Sequence, residues 1–226
     1  MIYVSALLTA ASGKVRGLVA SHNKGGTYFK GKTIPTNPNS AGQVSARSRL
    51  ATLGARFRLT LTAVQKTGWA VFATNVNWIN RLGNSVLLTA NNWYLKANSI
   101  RMQGSFPIVD APPTTFALST LSPLGATITA TTTNLLMSWV NVDDWQTSTT
   151  QAGVNIYASR PQNSTINYFT GPYSFAGTIR STAGSGTVGL ALPFVAGPVG
   201  SKIFLRAVAT AADGRPSSVF RVAAIA

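Results

Sequence analysis

The chain has no cysteine and no glutamate, and its only acids are Asp110, Asp143, Asp144 and Asp213. Without cysteine, disulfide staples, thiolate nucleophiles and cysteine-ligated metals are excluded. The one histidine, His22, sits in the turn cluster His22-Asn23-Lys24-Gly25-Gly26, and no spacing brings it toward an aspartate, so a nucleophile-histidine-acid triad has no support. Asp143-Asp144 lacks the further oxygen ligands of a calcium loop and reads as a solvated turn. Long apolar runs are missing too: nothing reaches the ~18 residues of a membrane span, and the opening MIYVSALLTAAS carries no basic leader. The expectation is a soluble, non-enzymatic protein with no cofactor, no metal and no classical export signal.

Charge of any kind is scarce, at 10% of residues, so the polar surface must be made largely of Ser, Thr, Asn and Gly. What charge there is lies unevenly. Residues 1–109 hold thirteen Lys/Arg and no acid, whereas residues 110–226 hold six Lys/Arg and all four aspartates. A field that one-sided attracts polyanions and repels copies of itself unless something anionic lies between them. The 226 residues, 45% of them hydrophobic, suffice for one large or two small cored domains. The charge asymmetry and the Asp110-Ala111-Pro112-Pro113 linker divide the chain into a basic domain, 1–109, and a near-neutral domain, 110–226.

In the basic half, Val15–Ser21 and Thr27–Thr33 read as a β-hairpin around the glycine-containing turn. Lys30 and Lys32 then share one strand face and Phe29 the other. Ser40-Ala41-Gly42-Gln43 fits a helix capping box, with Asn37-Pro38 as an earlier start, and Ala46, Leu50, Leu53 and Phe57 form a helical stripe. Arg47 and Arg58 fall on one shoulder of that stripe, and Arg49 and Arg56 on the other. Guanidinium groups beside an apolar seam suit an interface, ordinary solvated flanks being the alternative. A second capping box, Thr62-Ala63-Val64-Gln65, opens a helix that buries Trp69 and Phe72. A third helix runs from Thr89 to the stop at Gly104, with Trp93, Ala97 and Ile100 inward. Tyr94, Asn98 and Arg101 share another face, a polar contact surface or a solvated one.

Beyond the linker, eight short β-prone runs separated by turn clusters match an all-β sandwich: 115–121, 126–131, 135–140, 154–158, 173–180, 188–194, 202–210 and 218–225. Trp139, Tyr157 and IFLRAVATAADGRPSS resemble a fibronectin type III or immunoglobulin-like module. The fold class expected is therefore an α+β platform, a hairpin plus about three helices, followed by that sandwich.

Gly26-Thr27-Tyr28-Phe29-Lys30-Gly31-Lys32-Thr33 satisfies the letter of a P-loop. Bulky Tyr28-Phe29 stands where amides would wrap phosphate, and Pro35 where the helix should begin, so nucleotide binding is rejected. Cations interleaved with Tyr28, Phe29, Trp69, Trp78, Trp93 and Tyr94 suit phosphate contact and stacking, without a sequence-reading motif.

The string SGKVRGLVASHNKGGTYFKGKTIPTNPNSAGQVSARSRLATLGARF, followed by LTAVQKTGWAVFA and LLTANNWYLKAN, resembles a group of phage and phage-like virion structural proteins. In that group a basic hairpin, a Pro-Asn turn, a Gln/Arg helix and a Trp helix precede an immunoglobulin-like tail. The resemblance spans about residues 12–104 and implies a particle component, localised to the virion after assembly in the host cytoplasm. The expected function is a capsid or coat subunit that self-assembles as a homo-oligomer, alongside other virion proteins. Lys14, Arg16, Lys24, Lys30, Lys32, Arg47, Arg49, Arg56 and Arg58 would make subunit contacts or non-specific nucleic-acid phosphate contacts. Two alternatives are a sequence-nonspecific nucleic-acid-binding protein and a surface adhesion or glycan-binding module. The latter would use loops such as Asp143-Asp144-Trp145 or Pro161–Tyr168.

Overall fold

The structure, a computed structural model, describes residues 13–23, 26–34, 36–80, 83–128, 134–140, 143–146, 151–181, 186–195 and 197–225. Among these described residues it is a mixed α+β fold with three helices and antiparallel sheets, rich in β-structure. Two compact units are present, residues 1–44 and 45–226. The expected division at 109/110 falls inside the second.

Among the described residues of the first unit, β1 (Gly13–Val15), β2 (Leu18–Asn23) and β3 (Gly26–Gly31) form an antiparallel sheet in that order. β2 and β3 are the expected hairpin. His22, expected in its turn, is instead in β2, and Gly26–Gly31 of the P-loop-like segment is strand.

Helix α1 (Ala41–Leu59) starts where the Gln43 side-chain oxygen accepts from the Ser40 amide at 3.2 Å, one arm of the expected capping box. Helix α2 (Ala63–Asn75) has both arms of its own, Thr62 and Gln65 exchanging side-chain-to-backbone bonds. A two-stranded ribbon, β4 (Trp78–Ile79) and β5 (Ser85–Val86), leads to α3 (Ala90–Gln103), which Thr89 caps at its start and Gly104 at its end.

One core belongs to the helices. Leu53, Trp69, Phe72, Trp93, Tyr94 and Ala97 are buried together. Their rings meet edge-on, Trp69 against Tyr94 at 5.5 Å and Phe72 against Trp93 at 5.3 Å, a geometry that satisfies the ring quadrupoles.

Seven strands follow: β6 (Gly125–Ile128), β7 (Asn134–Trp139), β8 (Gly153–Ala158), β9 (Ser174–Arg180), β10 (Gly186–Ala191), β11 (Lys202–Thr210) and β12 (Phe220–Ile225). They form one sheet of order β10-β7-β6 and another of order β12-β11-β8-β9. Both sheets feed a single core, with Leu135 and Met137 from the first and Val154, Ile156, Ile203 and Leu205 from the second.

The run at 115–121, expected as a strand, is not one; it makes a single bridge, Ser119 to Ser217. At its end Ser119 N–H donates to the Pro216 carbonyl at 3.1 Å and Thr120 N–H to Asp144 at 2.8 Å, and just beyond the run Ser122 N–H donates to Asp143 at 2.7 Å. Asp143-Asp144 is accordingly not a solvated turn. Asp143 is buried and also accepts from Trp145 Nε1 at 3.1 Å, and Asp144 pairs with Arg215 at 2.9 Å.

The helices and the two-sheet body are tied by polar bonds at the C-terminal end of α3. Asn155 Nδ2 donates to the Ile100 carbonyl at 2.8 Å, Tyr157 Oη to Gln103 Oε1 at 2.9 Å, and Arg101 to the Ala211 carbonyl at 2.7 Å. Gly104 is required there by close approach: a Cβ would meet Asn155 Oδ1 and the Phe106 ring at 2.6 Å.

Candidate subunit and polyanion interface

Strand register decides which cations of the first unit gather. Lys14 lies opposite Val19, and Val19 opposite Lys30, so the two lysines flank one valine on a single face of the sheet. Lys32, two residues beyond Lys30, continues that row, and its amide donates to the Gly17 carbonyl at 2.7 Å. Lys14, Lys30 and Lys32 line one concavity of about 430 Å³ with Val19, Thr33 and Ile34. All three lysines are exposed, and residues 1–44 contain no acid to neutralise them.

Arg16 stands in the two-residue turn between β1 and β2 at φ 51°. A non-glycine there costs about 1–3 kcal/mol, and it holds an exposed guanidinium at the end of the sheet. Phe29 is exposed on the opposite face, as the strand period requires. Lys24 lies outside the described residues.

The four arginines of α1 divide by shoulder. Arg47 and Arg58 are exposed, the latter bonding back to the Gly54 carbonyl at 3.4 Å. The other shoulder is turned inward. Arg49 is half-buried and reaches Ser45 Oγ at 3.4 Å. Arg56 makes a two-point pair with Asp110, at 2.8 and 2.6 Å, and is therefore an internal staple instead of an external contact. Leu53 of the apolar stripe is buried and Phe57 half-buried. Val44 and Leu50, nearer the helix start, are 46% and 52% exposed, so apolar surface lies beside the outward arginines.

Tyr94, Asn98 and Arg101 do not form an outer contact face. All three are fully buried, and each holds the segment after α3 in place. Tyr94 Oη donates to Asp110 at 2.8 Å, and Asn98 exchanges bonds with both the Val109 amide (2.8 Å) and the Val109 carbonyl (3.0 Å). Arg101 donates to the Pro107 carbonyl at 2.8 Å. Trp69 Nε1 adds a bond to the Asp110 carbonyl at 2.9 Å. The Pro-Pro segment is thus clamped to the helices. Gly68 lets Pro112 lie against α2, where a Cβ would overlap the proline ring.

The electrostatics follow the geometry. The Arg56 hydrogen bond, with Tyr94 assisting, holds the Asp110 carboxyl below the ordinary carboxylate range. Burial and Asp110 push the Tyr94 hydroxyl up. Burial lowers Arg101, against a favourable pull from Asp213.

Among the aromatics expected to stack on bases, Trp69, Trp93 and Tyr94 are core residues. Phe29 is exposed, and Tyr28 and Trp78 are half-buried. Sequence reasoning missed Lys96 and Arg206, which converge on a second cavity between the helices and the body. Periodicity carried no signal for that pairing, because the two residues are brought together only by the docking of α3 on β11.

No helix among the described residues is long and apolar enough to cross a membrane. No family model matches the chain, and no curated protein is detectably similar to it. Among solved structures, the chain is similar to a family 76 glycoside hydrolase from a bovine Bacteroides thetaiotaomicron strain, with 15% identity and a TM-score of 0.30. That match spans 46% of this chain and 19% of the hydrolase, and at that level it carries no argument.

Proposed function

We propose that the protein is a non-enzymatic structural component of a phage-like particle, a coat subunit that self-assembles through its basic N-terminal region. The observation that carries this reading is the row Lys14, Lys30 and Lys32 on one sheet face, exposed in a unit without acids. Such a face repels neighbouring copies unless acceptor groups or an enclosed polyanion lie between them. Exposed Arg47 and Arg58 beside Val44 and Leu50 on α1 extend the same character, mixing cationic reach with apolar surface.

All four carboxylates serve structural partners, which supports a role without acid-base chemistry. Asp110 takes Arg56 and Tyr94, Asp143 takes Ser122 and Trp145, and Asp144 and Asp213 share Arg215. The C-terminal body is read as a fibronectin type III-like module. Three strands against four, in the orders β10-β7-β6 and β12-β11-β8-β9, support this. So does the turn at Gly214, φ 92°, between the last two strands.

Nucleic-acid binding as a function of salt tests the cationic face. With about six cations on phosphates, log K should fall against log salt with a slope near −5. Replacing Lys14, Lys30 and Lys32 together with glutamine should flatten that slope by about 2.7, equally for any sequence. An unchanged slope in the triple variant would remove the sheet face from the account.

A further inference from the structure

Lys96 on α3 and Arg206 on β11 line one cavity of about 310 Å³, with Leu50, Trp78, Leu95, Ser99, Ile100, Tyr157 and Ser217 among its walls. Lys96 Nζ sits over the Trp78 ring and 5.4 Å from the centroid of Trp93. The Arg206 guanidinium lies 5.4 Å from the centroid of Tyr157, and its Nε is buried with no hydrogen-bond partner among the described residues. No carboxylate lines this cavity among the described residues, and none in the chain is to spare: there is no glutamate, and all four aspartates are committed elsewhere. Two cations are therefore held together on aromatic faces with nothing in the protein to neutralise them. Cations in that position cost desolvation and mutual repulsion unless an anion completes the site.

We propose that this cleft binds a tetrahedral oxyanion, the phosphate or sulfate group of a small ligand, between Lys96 and Arg206, with the Ser99 hydroxyl beside it. The ligand's body extends past Trp78 and Arg206 into the adjoining cavity of about 470 Å³, where Asn80, Tyr168, Thr170, Tyr173 and Arg221 offer ring faces, hydroxyls and a further cation. This site is separate from the lysine row of the N-terminal sheet and does not depend on the assembly reading.

Burial, with repulsion from Arg206, lowers the Lys96 ammonium to about 7. The charged and titratable groups around it are Arg206 from β11 and Tyr157 from β8, itself acted on by Arg206 and by Arg49 from α1. An anion that needs Lys96 charged should therefore bind well below pH 7 and progressively less above it.

Sulfate is the suitable probe, because its own charge is constant across this range. Titration calorimetry on the full chain should give saturable one-to-one binding at pH 6 that weakens about tenfold by pH 8, as a single proton is lost from a group titrating near 7. Lys96→Met, which fits the apolar wall, should abolish binding while leaving the circular dichroism spectrum unchanged. Arg206→Gln should weaken binding at least tenfold without removing its pH dependence. Absence of saturable binding at pH 6, or binding that persists unchanged in Lys96→Met, would overturn the proposal. Displacement of sulfate by equimolar acetate would overturn the preference for a tetrahedral group.

Discussion

Trp69→Ala is expected to lower the unfolding free energy by about 3–5 kcal/mol, the range for removing a large aromatic from a packed core. Trp69 is fully buried, its ring meeting Phe72 at 5.8 Å and Tyr94 at 5.5 Å. Its indole N–H also bonds the Asp110 carbonyl, so truncation opens a cavity and strips an acceptor at once. Urea denaturation measures the loss. Trp69→Phe keeps one aromatic ring in the core while removing the bond and the indole's second ring, and should cost less than alanine, about 2 kcal/mol. Equal losses in the two variants would mean that Trp69 acts mainly through its hydrogen bond, contrary to its place at the centre of the helical core.

Asp110→Ala is the second large effect, at about 3 kcal/mol. The side chains of Arg56 and Asp110 are 38% and 22% exposed, so the pair lies between a surface bridge worth about 0–1 kcal/mol and a buried one whose rupture costs about 3–5. The fully buried Tyr94 hydroxyl loses its acceptor in the same variant, which adds a desolvation cost of about 1–3 kcal/mol. Because folding depresses the Asp110 pKa, its stabilisation is present above the ordinary carboxylate value of about 4 and is lost as pH falls through the lower folded value. Wild-type and Asp110→Ala stabilities should therefore converge in acid. A gap that stays constant down to low pH would show that the ion pair contributes little. Trp69 and Asp110 touch, so their double variant should fall short of the sum.

Local rules carried far in this chain, and their limits have physical causes. The Thr62/Gln65 box, the Thr89 cap and the Gly104 stop were readable because capping depends on residues three or four apart. The strands from β7 onward followed from short β-prone runs bounded by turn residues. The run at 115–121 ends where aspartates more than twenty residues away in sequence take the Thr120 amide and, just beyond, the Ser122 amide, which no local pattern reveals. Tyr94, Asn98 and Arg101 looked like an outer polar face because polar residues one turn apart usually are. Here three hydrogen-bonding side chains are buried to clamp an irregular segment whose backbone groups need partners. Arg56 was misjudged for the same reason: its carboxylate lies 54 residues away in sequence and is the first acid in the chain. The lysine row is the converse, since spacing alone joined Lys30 to Lys32, while Lys14 arrived through cross-strand register.

Light scattering after size exclusion, on wild type and on the Lys14/Lys30/Lys32→Gln variant, with and without nucleic acid at low and high salt, bears most directly on the assembly reading. Wild type should form a multi-copy species of defined mass, promoted by polyanion at low salt, and the triple variant should form much less of it. A wild-type protein that stays monomeric at high concentration under every one of these conditions would contradict it.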